Sequence, residues 1–182
     1  MASILIAFFT SLITTIIIIR TQNLHWRMSG DQDFDSPQKF HTRVVPRIGG
    51  LAIGLGIFAA SVFSNLTNSQ SFEKFLFLIC ATPVFAIGIT EDLTKKISVR
   101  MRLLFTAVGA LLACLFLNAR ITNLDTPGID SLLAIAALSI PFTVFAITGL
   151  ANAYNIIDGF NGLTTAAMIV AVAAMAAIAY QV

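Results

Sequence analysis

An all-α polytopic membrane bundle with about six transmembrane helices is the fold class this sequence predicts, and three observations carry it. Of 182 residues, 57% are hydrophobic and only 11% are charged, against roughly 25% charged in soluble domains. The apolar residues gather in six runs that hold no Lys, Arg, Asp or Glu. The basic residues fall almost wholly in alternate loops. At about 20 residues per crossing, six spans leave no room for an aqueous domain, so residues 1–182 are expected to form a single transmembrane domain in the lipid bilayer. The balance of 11 Lys and Arg against 9 Asp and Glu is too even to indicate a nucleic-acid partner.

The runs lie at about Ala2 to Ile19, Ile48 to Leu66, Phe75 to Ile89, Leu103 to Leu117, Ser131 to Leu150 and Thr164 to Tyr180. The first has no basic residue before it and charges after it, which predicts a permanent helix rather than a cleaved signal. The third and fourth runs are short for a crossing, so their helices should continue into polar residues at one end; Ser98 is the expected N-cap of the fourth. Trp26, just past the first helix, reads as an interface anchor. Gly50 and Gly54, and the stripe Ala167, Ala171 and Ala174, read as close helix packing. Cys80 and Cys114 sit inside separate runs without metal-type spacing and are expected to be small buried groups. Pro141 should bend the fifth helix.

Arg20, Arg27, Lys39, Arg43 and Arg47 follow the first run, and Lys95, Lys96, Arg100 and Arg102 follow the third; only Lys74 and Arg120 lie on the other side. Short loops rich in Lys and Arg stay cytoplasmic. The loops near 20–47, 91–102 and 151–163 should therefore face the cytosol, with both chain ends outside.

Three polar segments open on that face. In residues 35–50, Lys39, Arg43, Arg47 and a protonatable His41 suit anionic groups, although such a loop also serves simply to fix topology. In residues 88–94, Glu91 and Asp92 end an apolar helix side by side, where desolvation and mutual repulsion demand a proton, a cation or basic partners. Lys95, Lys96 and Arg100 are the candidate partners, and a plain interfacial ion cluster is the alternative. In residues 151–162, Asn152, Asn155, Asp158 and Asn161 crowd a short turn that holds no Lys or Arg. Helical spacing places Asn155 and Asp158 on one face, which favours a cation site over a mere Asx-Gly turn.

With these segments in hand, the chain resembles the polyprenyl-phosphate N-acetylhexosamine-1-phosphate transferases. Pro37, Lys39, His41, Pro46, Arg47, Gly49 and Gly50 are similar to that family's first cytosolic loop, Glu91-Asp92 to its paired-aspartate motif, and Asn152 through Gly162 to its Asn-Ala-x-Asn-x-x-Asp-Gly-x-Asp-Gly motif. Glu91 replaces the first Asp of the pair, and Asn161 the last Asp of the third motif. The branch that serves lipopolysaccharide or O-antigen carriers is a better match than the peptidoglycan branch. Family members continue through further helices with a Gly-Asp metal loop and a histidine-bearing sugar loop, so the chain resembles their amino-terminal part, and whether it acts alone stays open.

The resemblance implies transfer of N-acetylhexosamine-1-phosphate from a UDP-N-acetylhexosamine to undecaprenyl phosphate, with release of UMP, at the cytosolic face of a bacterial inner membrane. It implies Mg2+, or Mn2+ in its place, held by Asn155 and Asp158. Asp92 with Glu91 would deprotonate or orient the lipid phosphate, and Lys39, His41, Arg47 and Asn152 would bind substrate. Association of two copies as a homodimer stays open. A cation-coupled transporter using Glu91, Asp92 and Asp158 is the alternative, disfavoured because these acids lie at helix ends rather than at mid-membrane. An intramembrane aspartyl protease using Asp92 and Asp158 would leave the basic loop and the Asn-rich segment without a role.

Overall fold

The computed structural model of the chain describes residues 2–24, 30–31, 45–67, 72–157 and 162–181, and gives the backbone alone at Asp31, Val45 and Lys74. In chain order the elements are α1 (Ala2–Arg20), β1 (Gly30–Asp31), β2 (Val45–Pro46), α2 (Gly49–Thr67), α3 (Phe72–Thr94), α4 (Val99–Phe116), α5 (Ile129–Leu133), α6 (Ala136–Ile157) and α7 (Leu163–Gln181). Six of the helices are long and apolar enough to cross a membrane, in the order the apolar runs predict. Helices suit that environment because each satisfies its own backbone polar groups where no water is available. The two short strands pair antiparallel, Gly30 with Pro46 and Asp31 with Val45.

The helix ends differ from the apolar runs for local reasons. α3 continues past Ile89 to Thr94, and its polar residues are accommodated there: the Thr90 hydroxyl donates to the Ala86 carbonyl at 2.7 Å and the Thr94 hydroxyl to the Thr90 carbonyl at 2.6 Å. α4 starts at Val99 under the expected cap, the Ser98 side chain accepting from the Met101 N–H at 3.3 Å.

The fifth span is corrected at both ends. The Asp130 carboxylate accepts from the backbone N–H of Leu124 at 2.8 Å and of Thr126 at 3.2 Å, and Gly128 takes φ +85°. These contacts fold residues 124–130 into a turn, and α5 is separated from α6 by Ala134 and Ile135. At its far end α6 does not stop at Leu150 but runs on to Ile157, so Asn152 and Asn155 lie on helix rather than in a turn. Pro141 lies inside α6 and Pro83 inside α3, and each removes one helical N–H donor.

Packing runs in sequence order, α1 on α2, α2 on α3, α3 on α4 and α4 on α6, with a sparse contact between α6 and α7. Small groups allow these approaches, as expected where helices associate by close contact rather than by escape from water. An added methyl group at Gly54 would run into the Phe85 ring, and at Gly56 and Gly109 it would lie 2.7 Å from the Ala7 carbonyl oxygen and 2.7 Å from Val84. Gly50 meets no such neighbour, so the close contact of α2 with α1 is made by Gly56 rather than by the expected Gly50–Gly54 pair. Cys80 and Cys114 are buried and free, and Ser139 and Thr143 are buried with them. Large side chains such as Phe8, Phe58 and Phe145 point outward, where the surrounding medium of a spanning helix is lipid. Of the Ala167, Ala171 and Ala174 stripe, Ala167 and Ala171 are half-buried and Ala174 is exposed, and no described residue of α7 is fully buried.

The Gly56 contact is with backbone, which cannot swing aside. Gly56→Ala is expected to destabilise the chain by about 1–3 kcal/mol, read as a lowered midpoint of thermal unfolding in detergent.

Candidate functional site

The site begins with the α3–α4 hairpin, whose connection is only Lys95 to Ser98. α3 ends in a left-handed residue, Lys95, with φ +56°, and the Lys95 N–H bonds the Glu91 carbonyl at 2.8 Å. This is the αL form of helix ending, usually made by glycine. Ser98 then restarts the chain as α4. So tight a reversal sets the last turn of α3 beside the first turn of α4. Glu91 and Arg102 meet there, Arg102 Nη1 donating to Glu91 Oε1 at 2.8 Å with their side chains 21% and 19% exposed.

The cation that answers Glu91 is therefore Arg102, not Lys95, Lys96 or Arg100 as the loop composition suggested. Arg100 and Arg102 belong to α4 rather than to the loop. The missed signal is geometric: with a four-residue connection, a residue one turn before the first helix ends faces one that ends the first turn of the second. Asp92 is half-buried beside Glu91.

Lys95 has a different task. Its Nζ donates to the Gly30 carbonyl, 65 residues away. Gly30 is buried and pairs with Pro46, so this bond ties the neck of the first polar loop to the acidic end of α3. Arg47 follows that neck directly and is half-buried. Lys39 and His41 lie outside the described residues, as do Trp26 and Asp158.

The third segment reaches the same end of the bundle by a different route. The Ile121 N–H, just past α4, donates to the Thr143 hydroxyl near the start of α6 at 2.8 Å, so α4 and α6 pack antiparallel. The end of α6 then lies toward the start of α4, where Glu91 and Arg102 meet. Asn152 is half-buried, and its Oδ1 is buried without a partner, like the Thr148 hydroxyl one turn earlier and the Thr164 hydroxyl at the start of α7. Asn155 is exposed. Among the described residues no group of three His, Cys, Asp or Glu side chains gathers in the manner of a protein-only metal cage.

A family model described as Glycosyl transferase family 4 matches residues 74–182. A protein described as a probable undecaprenyl-phosphate N-acetylglucosaminyl 1-phosphate transferase, from Bacillus subtilis, is 26% identical over 179 residues, covering 98% of this chain and 49% of that protein. A phospho-N-acetylmuramoyl-pentapeptide-transferase of Pelagibacter ubique is 30% identical over 148 residues, or 74% of this chain and 40% of the relative. Another, from a Ruegeria species, is 32% identical over 164 residues, or 81% and 44%. The chain spans less than half the length of these relatives. No solved structure matches it. With its apolar helices and these relatives, it is a multi-pass membrane protein.

The hairpin geometry rests on the cap at Ser98. Ser98→Ala is expected to cost about 1 kcal/mol, visible as a lowered unfolding midpoint in detergent, while Ser98→Asp, which keeps an acceptor at the cap, should retain the wild-type value.

Proposed function

We propose, because the chain belongs to glycosyl transferase family 4, that it supplies the inner-face loops of an enzyme that moves N-acetylhexosamine-1-phosphate from a UDP-sugar to undecaprenyl phosphate and releases UMP. The observation that supports this most is the bond from Lys95 to Gly30. It sets the neck of the basic first loop against the helix end that carries Glu91 and Asp92. A membrane-bound phosphate acceptor and a water-soluble nucleotide sugar meet only at an interface. Polar groups sharing one helix-end layer are what such a meeting requires.

The reaction brings anions together, so the residues must offset charge as well as orient groups. Asp92, at the end of α3 and half-buried, is placed to accept a proton from, or orient, the lipid phosphate. Arg47, Lys39 and His41, on or beside the first loop, would hold donor phosphate or uracil-side groups. Asn152, whose carbonyl oxygen is buried without a partner, would bind substrate at the end of α6.

Asn155 and Asp158 would hold Mg2+, or Mn2+ in its place. An amide and a carboxylate oxygen suit an ion that takes one or two protein groups and completes its shell with water and phosphate oxygens, and Asn155 is exposed near the end of α6. Once bound, the ion would supply charge neutralisation between donor and acceptor. The orientation that serves this chemistry is cytosolic for the ends of α1, α3 and α6, in a bacterial inner membrane. A homodimer is compatible with the wide apolar faces. The family match lends no support to a cation-coupled transporter.

In membranes carrying the full coding sequence, Asp92→Asn and Asp158→Asn are each expected to lower UMP release from UDP-N-acetylglucosamine by about 10²–10⁴-fold; wild-type rates in both would remove these acids from the chemistry. In a background with Cys80 and Cys114 replaced by Ala, single cysteines placed at Lys96 and Asn155 should react with an impermeant thiol reagent only from the cytosolic side. Labelling from opposite sides would overturn the reading.

A further inference from the structure

We infer that Lys95 is a positioning residue for the donor end of the site: by holding the Gly30 carbonyl it sets where Arg47 stands, and thereby the affinity for the UDP-sugar. The inference rests on the transferase reading and on the phosphate-holding role given there to Arg47.

Two local anomalies meet in one bond. The first is at the end of α3, where Lys95 takes φ +56°. Glycine, or less often asparagine, fills such a position, because a Cβ is crowded there. A lysine bears that strain, and what it has that glycine lacks is a long stem with an ammonium at its tip. The second anomaly is at Gly30, which is buried and pairs with Pro46. Proline has no N–H to donate. The Gly30 carbonyl therefore receives no ladder bond from its paired residue, and a buried carbonyl without a donor is costly. Lys95 Nζ supplies the donor.

The bond reaches Arg47 through two short steps. Paired residues of an antiparallel ladder have Cα atoms about 5 Å apart, and Arg47 follows Pro46 directly, about 3.8 Å further along the chain. A pair of strands as short as Gly30–Asp31 and Val45–Pro46 does not hold itself in place, so the tie from α3 gives this neck its anchor. On its other side Arg47 leads into α2, which packs on α1 and α3. Arg47 is half-buried, and its side chain starts from a fixed point rather than from a free loop. A preorganised cation loses less freedom when it binds an anion, so loss of the tie weakens donor binding and leaves the transfer step alone.

The test uses the full coding sequence in membranes, with UMP release followed against the concentration of UDP-N-acetylglucosamine. Lys95→Gly, which suits the left-handed backbone, and Lys95→Met, which keeps the stem and the strain, both remove the donor. Each is expected to raise KM for the UDP-sugar by about fivefold or more, with kcat within about twofold of wild type. Lys95→Arg, which keeps a charged donor, should hold KM within about twofold. Combined with Arg47→Gln, Lys95→Gly should raise KM no further than Arg47→Gln alone, because the two act through one contact. A rise in KM for Lys95→Met but not for Lys95→Gly would place the effect in the helix ending and overturn the inference. Multiplied effects in the double variant would make Lys95 a separate substrate contact and overturn it too, as would a fall in kcat with KM unchanged.

Amide hydrogen exchange of the purified full-length protein in detergent reads the tie without activity. Peptides covering Gly30–Asp31 and Val45–Arg47 should exchange about tenfold or more faster in Lys95→Gly and Lys95→Met than in wild type or Lys95→Arg; unchanged exchange would sink the tie. If Lys95→Met fails to accumulate, Lys95→Gly carries both measurements, since a rise in KM there cannot come from a strained helix end. Absence of any wild-type UMP release would count against the transferase reading alone, because exchange would still report on Lys95 and Gly30.

Discussion

An ionic group inside hydrocarbon must be paired or absent, and the architecture of this chain follows from that constraint. The cores of its spans carry no Lys, Arg, Asp or Glu, so the charges among the described residues lie at helix ends or in connections. Two of them, Glu91 and Arg102, are held in the outermost turns of adjacent spans, where they are shielded yet joined at 2.8 Å. A single helix could not place them so. It takes the short Lys95–Ser98 connection, closed by a left-handed residue on one side and an N-cap on the other, to bring two unfavourably sited charges into register.

That hairpin also organises what lies around it. Lys95, forced into φ +56° by the helix ending, directs its ammonium to the Gly30 carbonyl and so fixes the neck of the first loop. α4, started by Ser98, carries the antiparallel contact with α6 and so decides which end of the bundle receives Asn152 and Asn155. One four-residue reversal thus sets the positions of three segments that are distant along the chain. Positions set by helix ends are more tightly defined than positions on free loops, which suits a site where two anions must be oriented.

Much of the fold was legible in the sequence because the signal for a membrane span is simple: length and the absence of charge. The six spans, the Ser98 cap and the burial of Cys80 and Cys114 follow from those rules and from ordinary capping chemistry. The limits of α3 and α6 did not, because apolarity does not decide where a helix stops. α3 runs through Glu91 and Asp92 with the Thr90 and Thr94 hydroxyls satisfied by its own carbonyls, and nothing between Leu150 and Ile157 breaks the helix, so Asn152 and Asn155 ride on it. The turn before α5 depends on Asp130 capturing two backbone N–H groups, a local geometric detail that composition hides. In the site, the residue types were readable but the pairing was not, since a loop rich in Lys offered nearer cations than Arg102.

The distribution of buried side chains bears on how such a site stays in place. Among the described residues most buried positions are small or weakly polar, such as Ala52, Cys80, Ala110, Cys114, Ser139 and Thr143, with Ile18, Ile87 and Leu133 as the larger ones. Most bulky apolar side chains point outward, and no described residue of α7 is fully buried. Contacts between small residues hold helices at a fixed distance but give little resistance to axial sliding, because few large side chains interlock. A polar tie at the helix ends supplies that resistance, as a displaced Arg102 or Lys95 would leave a shielded charge or a buried carbonyl without its partner. The ionic and hydrogen-bonded layer at one end of the bundle therefore sets the axial register of α3, α4 and the first loop, and the residues proposed for catalysis lie in the layer that sets it.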